Sequence, residues 1–189
     1  MELQIIIVSL HYKIKTKRIM ETKIIMETKK YELTKKTKKV DGHVLYRIRA
    51  LKDICDAKKG DLGGYIESEA NLSQEGVAWI YDKACVYGNA KVYENAEVKD
   101  IAHIYGDAQV HGDCSIWDNA QIFGNSQVYG NSIVRESSQV FGDAKVYGEA
   151  YISSKAIVCD NAEIGGQMEL YSGTFGGTEK LNGREILHR

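Results

Sequence analysis

From Ile80 to Ile164 a β-branched aliphatic residue returns at every sixth position: Val86, Val92, Val98, Ile104, Val110, Ile116, Ile122, Val128, Val134, Val140, Val146, Ile152 and Val158 fill the interval. Two positions before each, from Val86 onward, stands a small residue: Ala84, Ala90, Ala96, Ala102, Ala108, Cys114, Ala120, Ser126, Ser132, Ser138, Ala144, Ala150, Ala156 and Ala162. A short fixed period means that each unit buries its apolar side only against its neighbours, which is the mark of a repeat architecture.

One unit shows how the chain must run. In Ala84-Cys85-Val86-Tyr87-Gly88-Asn89 a small inward residue, a variable outward one, an aliphatic inward one and an aromatic outward one precede two turn residues. Alternation with a period of two is a short strand with one buried face. The Gly-Asn or Gly-Asp that follows tolerates the positive φ of a sharp corner, and it recurs at Gly106-Asp107, Gly124-Asn125, Gly130-Asn131 and Gly142-Asp143. Such units cannot fold back as hairpins while keeping the same side inward. They can climb as a coil, and three strands close the smallest one: a triangular prism of about 18 residues per turn, rising about 4.8 Å per turn.

Runs such as "VYGNAKVYENA", with the lead-in "GDLGGYIESEANLSQEG", resemble the hexapeptide-repeat left-handed β-helix superfamily, and more narrowly its YdcK-like branch. The resemblance covers Tyr31 to Gly166 and implies an all-β, single-stranded left-handed parallel β-helix. The left hand comes from the resemblance, since sterics alone favour a right-handed crossover. Many proteins of this superfamily are trimeric acyltransferases in which a histidine between subunits acts as general base and an acyl carrier lies along the groove. For this chain the resemblance makes His103 or His111 the candidate base and a CoA thioester the candidate cosubstrate.

The chain divides into an N-terminal extension at 1–25, read as disordered, a β-hairpin cap at 26–64, the β-helix at 65–170 and a C-terminal tail or cap at 171–189. Asp41-Gly42 between β-rich flanks is a hairpin turn, with Val44, Tyr46, Ile48 and Ala50 alternating against His43, Leu45, Arg47, Arg49 and Leu51. A coil otherwise ends in unpaired backbone groups, so a cap over the first turn is required. A length of 189 residues with 43% hydrophobic content supports one domain, and a net charge of −1 argues against a general polyanion binder. No nucleic acid partner is therefore expected. The N-terminal apolar run Ile5 to Leu10 is too short for a membrane span and lacks a signal-peptide layout, which makes the cytoplasm the expected location. Cys55, Cys85, Cys114 and Cys159 are not one turn apart and read as free thiols.

The stride sorts outward residues onto three faces. Face A carries Tyr81, Lys99, Trp117, Arg135 and Ser153; face B carries Tyr87, Tyr105, Phe123, Phe141 and Cys159; face C carries Tyr93, His111, Tyr129 and Tyr147. The aromatic columns of B and C are candidate interface residues, because contiguous apolar strips mark contact surfaces. Lys99, Trp117 and Arg135 are a candidate anion contact, read alternatively as a self-satisfied ladder. Asp82, Asp100, Asp118 and Glu136 align at one corner, where neighbouring cations and turn chemistry account for them without a metal ion. A zinc site needs convergent histidines, and His103 and His111 fall on different faces. No loop interrupts Ile80 to Ile164 to enclose a substrate, and no basic tail is evident for a CoA phosphate. The expectation is a non-catalytic scaffold or binding module, self-associating as a trimer or dimer and suited to a prophage-borne accessory role. The alternative is an acyl-CoA-dependent transferase.

Overall fold

Two residues after each two-residue strand of the coil the backbone takes a positive φ, and these corners set the path of the chain. One corner uses Gly88, Gly106, Gly124 and Gly142; another uses Gly112, Gly130, Gly148 and Gly166. At Gly112, with φ 77°, glycine is compelled, since a Cβ would lie 2.7 Å from the Gly130 nitrogen of the next turn, whereas Glu94 and Asp160 hold the equivalent corner positions of outer turns at φ 59° and 57°. The third corner instead places Asp82, Asp100, Asp118, Glu136 and Ser154 at φ 51–58°. Its acids recover the strain as acceptors. The Asp118 N–H donates to Asp100 Oδ2 at 3.0 Å, and the Glu136 N–H donates to Asp118 Oδ2 at 3.2 Å. The stacked carboxylates thus serve the backbone.

The computed structural model describes residues 11, 13–18, 20 and 29–189. Residues 13–18, inside the extension expected at 1–25, are helical and exposed; the rest of that extension lies outside the described residues, apart from 11 and 20. Strands are numbered β1 to β22 in chain order. Wall B, a nine-stranded sheet, runs β1 (Tyr31–Val40), β2 (His43–Ala50), β3 (Leu62–Ile66), β5 (Cys85–Val86), β8 (His103–Ile104), β11 (Gln121–Ile122), β14 (Gln139–Val140), β17 (Ile157–Val158), β20 (Thr174–Phe175). Wall A runs from β4 (Trp79–Ile80) to β22 (Ile186–His188), and wall C from β6 (Lys91–Val92) to β21 (Lys180–Gly183). Coil strands pair parallel, with Gln121 opposite both His103 and Gln139, so 18 residues make one turn of a parallel β-solenoid.

The valines and isoleucines of the stride are buried along the axis, and the small residues are buried beside them. Three of the small positions are serines with satisfied hydroxyls: Ser126, Ser132 and Ser138 donate to the carbonyls of Phe123, Tyr129 and Arg135, at 2.8, 3.0 and 2.6 Å. A hydroxyl that bonds three residues back fits an alanine slot without an orphaned polar group. Each aliphatic side chain contributes about 1.5–3 kcal/mol by leaving water.

At the N-terminal end Tyr31, Ile48, Ile54 and Ala57 join this core. Tyr31 packs edge-on to Trp79 at 6.2 Å and donates its hydroxyl to Leu72 O at 2.6 Å. Lys30 is fully buried, with its Nζ donating to Ala78 O at 2.9 Å and Glu75 O at 3.2 Å. Burial, with a smaller repulsion from Lys52, lowers its pKa from 10.5 to about 8. The unfolded chain therefore binds more protons between these values, and this group adds stability as pH rises through 8. From pH about 8 to about 9.5 the wild type should gain about 1–2 kcal/mol on Lys30→Met in urea unfolding. A constant difference would contradict the assignment.

Two departures from the sequence reading matter. The alternation expected along β2 breaks: Leu45, Ile48 and Ala50 are buried, whereas Val44 and Tyr46 are exposed. A register shift between Arg47 and Arg49 flips the pleat, and the outer half of the hairpin lies against the outside of wall B. At the other end the expected tail from 171 continues the coil. Phe175, Leu181 and Leu187 pair with Val158, Ile164 and Leu170, each one residue short of the 18-residue turn. Deletion of one residue between Leu170 and Phe175 hides this last turn from a six-residue count.

Candidate functional site

The outward columns are the chemistry-bearing surface, and the structure stacks them as the stride requires. On wall B, ring centroids lie 5.2 Å apart for Tyr87–Tyr105, 4.9 Å for Tyr105–Phe123 and 4.8 Å for Phe123–Phe141, all within 10° of parallel. On wall C, Tyr93–His111, His111–Tyr129 and Tyr129–Tyr147 stack at 4.6, 5.2 and 5.5 Å. Each ring covers its neighbour's face, so Tyr105, Phe123, Phe141, Tyr129 and Tyr147 are only partly exposed. The ladder adds roughly 0.5–1 kcal/mol per pair to the sheet.

Wall B is not open along its whole length. Tyr87 is 3% exposed, because Leu45 and Val40 of the hairpin pack with Tyr65, Cys85 and Tyr87. The Tyr87 hydroxyl donates to Asp41 Oδ2 at 2.7 Å. Lys38 sits 4.4 Å from the Tyr65 ring centroid and donates to Lys83 O. Tyr87 is therefore an anchor for the hairpin, and the open part of the column begins at Tyr105. Among the described residues nothing covers the rings of wall C.

Wall A gathers the candidate anion contact but leaves it engaged. Lys99 Nζ lies 4.9 Å from the Tyr81 ring and 5.8 Å from Trp117, and it pairs with Glu97 at 2.8 Å. Arg135 lies 5.8 Å from the same indole and donates from Nε to Asp118 Oδ2 at 3.3 Å. Rings and carboxylates of the chain itself already face both cations.

The two coil histidines have unequal surroundings. His103 is half-buried beside Tyr87, at 6.1 Å and edge-on; burial, then nearby Lys38, lowers its pKa. No hydrogen bond orients its ring among the described residues. His111 is sandwiched between Tyr93 and Tyr129, with Nδ1 3.5 Å from Glu94 Oε2. The imidazole best held for proton transfer is a third one. His43, at the hairpin tip, has Nδ1 2.9 Å from Glu67 Oε1, while Glu67 Oε2 accepts the Gly88 N–H at 2.8 Å. These two bonds, the His43 one first, lower the Glu67 pKa and keep it ionised. An ionised carboxylate can only accept, so Nδ1–H donates to it, and in the neutral imidazole Nε2 is then left as the acceptor. The pair lines an open cleft of about 610 Å³ with Asp41, Gly42, Val44 and Tyr46. Sequence reasoning missed it because Glu67 lies 24 positions away and meets His43 only when the hairpin folds onto wall B.

Among the described residues no group of three or more His, Cys, Asp or Glu side chains could hold a metal ion. No helix among them is long and apolar enough to cross a membrane. The four cysteines are free, with Cys55 exposed and the others buried.

No family model matches the chain. A stretch of 56 residues, 29% of this chain, is 39% identical to a protein of Escherichia coli (strain K12) described as the uncharacterized acetyltransferase YdcK. That stretch spans 17% of the relative's length. Stride, stacked parallel strands and this similarity agree: the chain has the hexapeptide-repeat β-solenoid architecture, with a YdcK-like stretch.

Proposed function

We propose that this hexapeptide-repeat β-solenoid is a non-catalytic scaffold or binding module that self-associates through its open aromatic columns. The supporting observation is the stacked column Tyr93, His111, Tyr129 and Tyr147 on wall C, which no described segment covers. Tyr105, Phe123 and Phe141 extend the same kind of surface on wall B. The walls are rigid, since every turn hydrogen-bonds to the next, and they present ring edges rather than an enclosed pocket. A flat, ordered surface suits face-to-face docking of identical subunits.

Light scattering tests this reading. The wild type should have the mass of a dimer or trimer, and Tyr129→Glu combined with Tyr147→Glu should give a monomer with an unchanged circular dichroism spectrum. A monomeric wild type would end the proposal.

Acyl transfer is the second reading, favoured by the similarity to a protein described as an acetyltransferase and by the oriented His43–Glu67 pair. In it, His43 Nε2 takes the proton of an acceptor amine or hydroxyl as that group attacks a thioester carbonyl. The departing thiolate takes the proton back. Acetyl-CoA should then bind saturably in calorimetry, and His43→Ala should abolish turnover while leaving binding. Turnover unchanged in His43→Ala but lost in His103→Ala or His111→Ala would move the base to the coil. No heat at millimolar acetyl-CoA would remove the reading.

A further inference from the structure

Charge is distributed unevenly along the molecule. Residues 1–50 hold 13 of the 25 lysines and arginines but only 5 of the 26 acids, so a strongly basic first quarter precedes an acidic coil. The described part of that basic quarter centres on β1, whose sequence reads YELTKKTKKV. β1 is the terminal strand of the nine-stranded sheet: β2 lies on one edge, and among the described residues no strand pairs with the other. Its register with β2 slips between Leu33 and Thr37, which lifts Thr34, Lys35 and Lys36 out of the ladder. Lys35, Lys36 and Lys39 are exposed. None of the three has an ion-pair partner among the described residues, whereas Lys38 is engaged with Tyr65 and Lys83 O.

We propose that the open edge of β1 is a docking site for an extended acidic peptide segment, which adds to the sheet as a further strand. The backbone edge supplies unpaired donors and acceptors, and the lysines select the sign of the partner. Two other occupants fit less well. A second copy of β1 would bring lysine opposite lysine across the two-fold, and like charges facing each other in a ladder are destabilising. The inner turns of a second copy's coil already spend their backbone groups on the turns beside them, and its terminal strands, Thr174–Phe175, Lys180–Gly183 and Ile186–His188, carry no acidic residue to meet the lysines. A nucleic acid would satisfy the lysines but leave the backbone edge unused. The site lies away from the rings of wall C and does not depend on the self-association proposed above.

The probe is a fluorescein-labelled peptide of alternating glutamate and valine, ten residues long like β1, read by fluorescence anisotropy against the whole protein. Saturable binding that weakens with added salt is expected, together with a roughly tenfold or greater loss in the combined Lys35→Glu, Lys36→Glu, Lys39→Glu variant. The matching Lys→Gln triple variant should show a smaller loss of the same sign. The same peptide N-methylated at alternate residues should bind far more weakly, and an alternating lysine–valine peptide should not bind. Several results would overturn the proposal. These are no saturable binding of the acidic peptide, equal binding to the charge-reversed protein, or equal binding of the N-methylated peptide. Tighter binding of a thymidine oligonucleotide would assign the edge to a phosphate polymer instead, and a change of protein mass in the lysine variant would assign it to a second copy.

Discussion

Ile122→Asp is expected to leave the chain unfolded. Ile122 is fully buried on the prism axis, with Ile104 and Val140 opposite it in the turns before and after. Truncating such a side chain costs about 2–5 kcal/mol, and an unpaired carboxylate among aliphatic neighbours adds several more. Together these reach the whole stability of an ordinary domain, about 5–15 kcal/mol. Relaxation offers little relief, because each turn is hydrogen-bonded on both sides and a shift at one is passed to the next. The adjacent change Gln121→Asp, pointing outward, should stay within about 0.5 kcal/mol of wild type. Circular dichroism and urea unfolding of the pair give the comparison. A cooperative transition for Ile122→Asp near the wild-type midpoint would mean that position 122 does not face a packed interior.

Trp79→Ala should be the most damaging truncation at the capped end, costing about 3–5 kcal/mol. Its slot in the repeat is an outward one, beside Glu97 of the next turn, yet the indole is 1% exposed. Tyr31 meets it edge-on, and Gly63 is glycine because a Cβ there would come 2.7 Å from Trp79 Cζ2. The side chain therefore joins the hairpin segment to the first full turn. The loss should couple with Tyr31→Ala: the double variant should cost less than the two single losses added together, since either one empties the same contact. Strict additivity in urea midpoints would show that cap and coil are not joined through this pair.

The prism and its columns were legible because one stride dictates both. Once Val and Ile point inward every sixth residue, the placement of Phe123 above Phe141 or Tyr129 above Tyr147 follows by counting. The features that count cannot reach are those made by contacts across sequence. The bulge near Arg47 turns Leu45 inward onto wall B, and no local pattern announces it. Trp79 occupies an outward slot, yet it is buried, with Tyr31 from 48 positions earlier edge-on to it and Gly63 against the indole. Lys30 looks like one more surface lysine, but the carbonyls of Glu75 and Ala78 hold it inside. His43 becomes chemically interesting only when Glu67 arrives beside it. The final turn escapes the six-residue count because a single missing residue breaks the stride while leaving the parallel pairing intact.

Positions one turn apart are equivalent in this fold, and removal of one whole turn tests that equivalence most directly. Deleting residues 109–126, which are 18 in number, joins Ala108 to Gln127 with the small-variable-aliphatic order unbroken. It brings Tyr105 against Phe141 and Tyr93 against Tyr129. The shortened protein should unfold cooperatively in urea with a native-like β spectrum, whereas deletion of 109–117, which exchanges inward for outward positions, should not fold. If the whole-turn deletion is unfolded, or the half-turn deletion is as stable as it, the walls and columns described above do not exist.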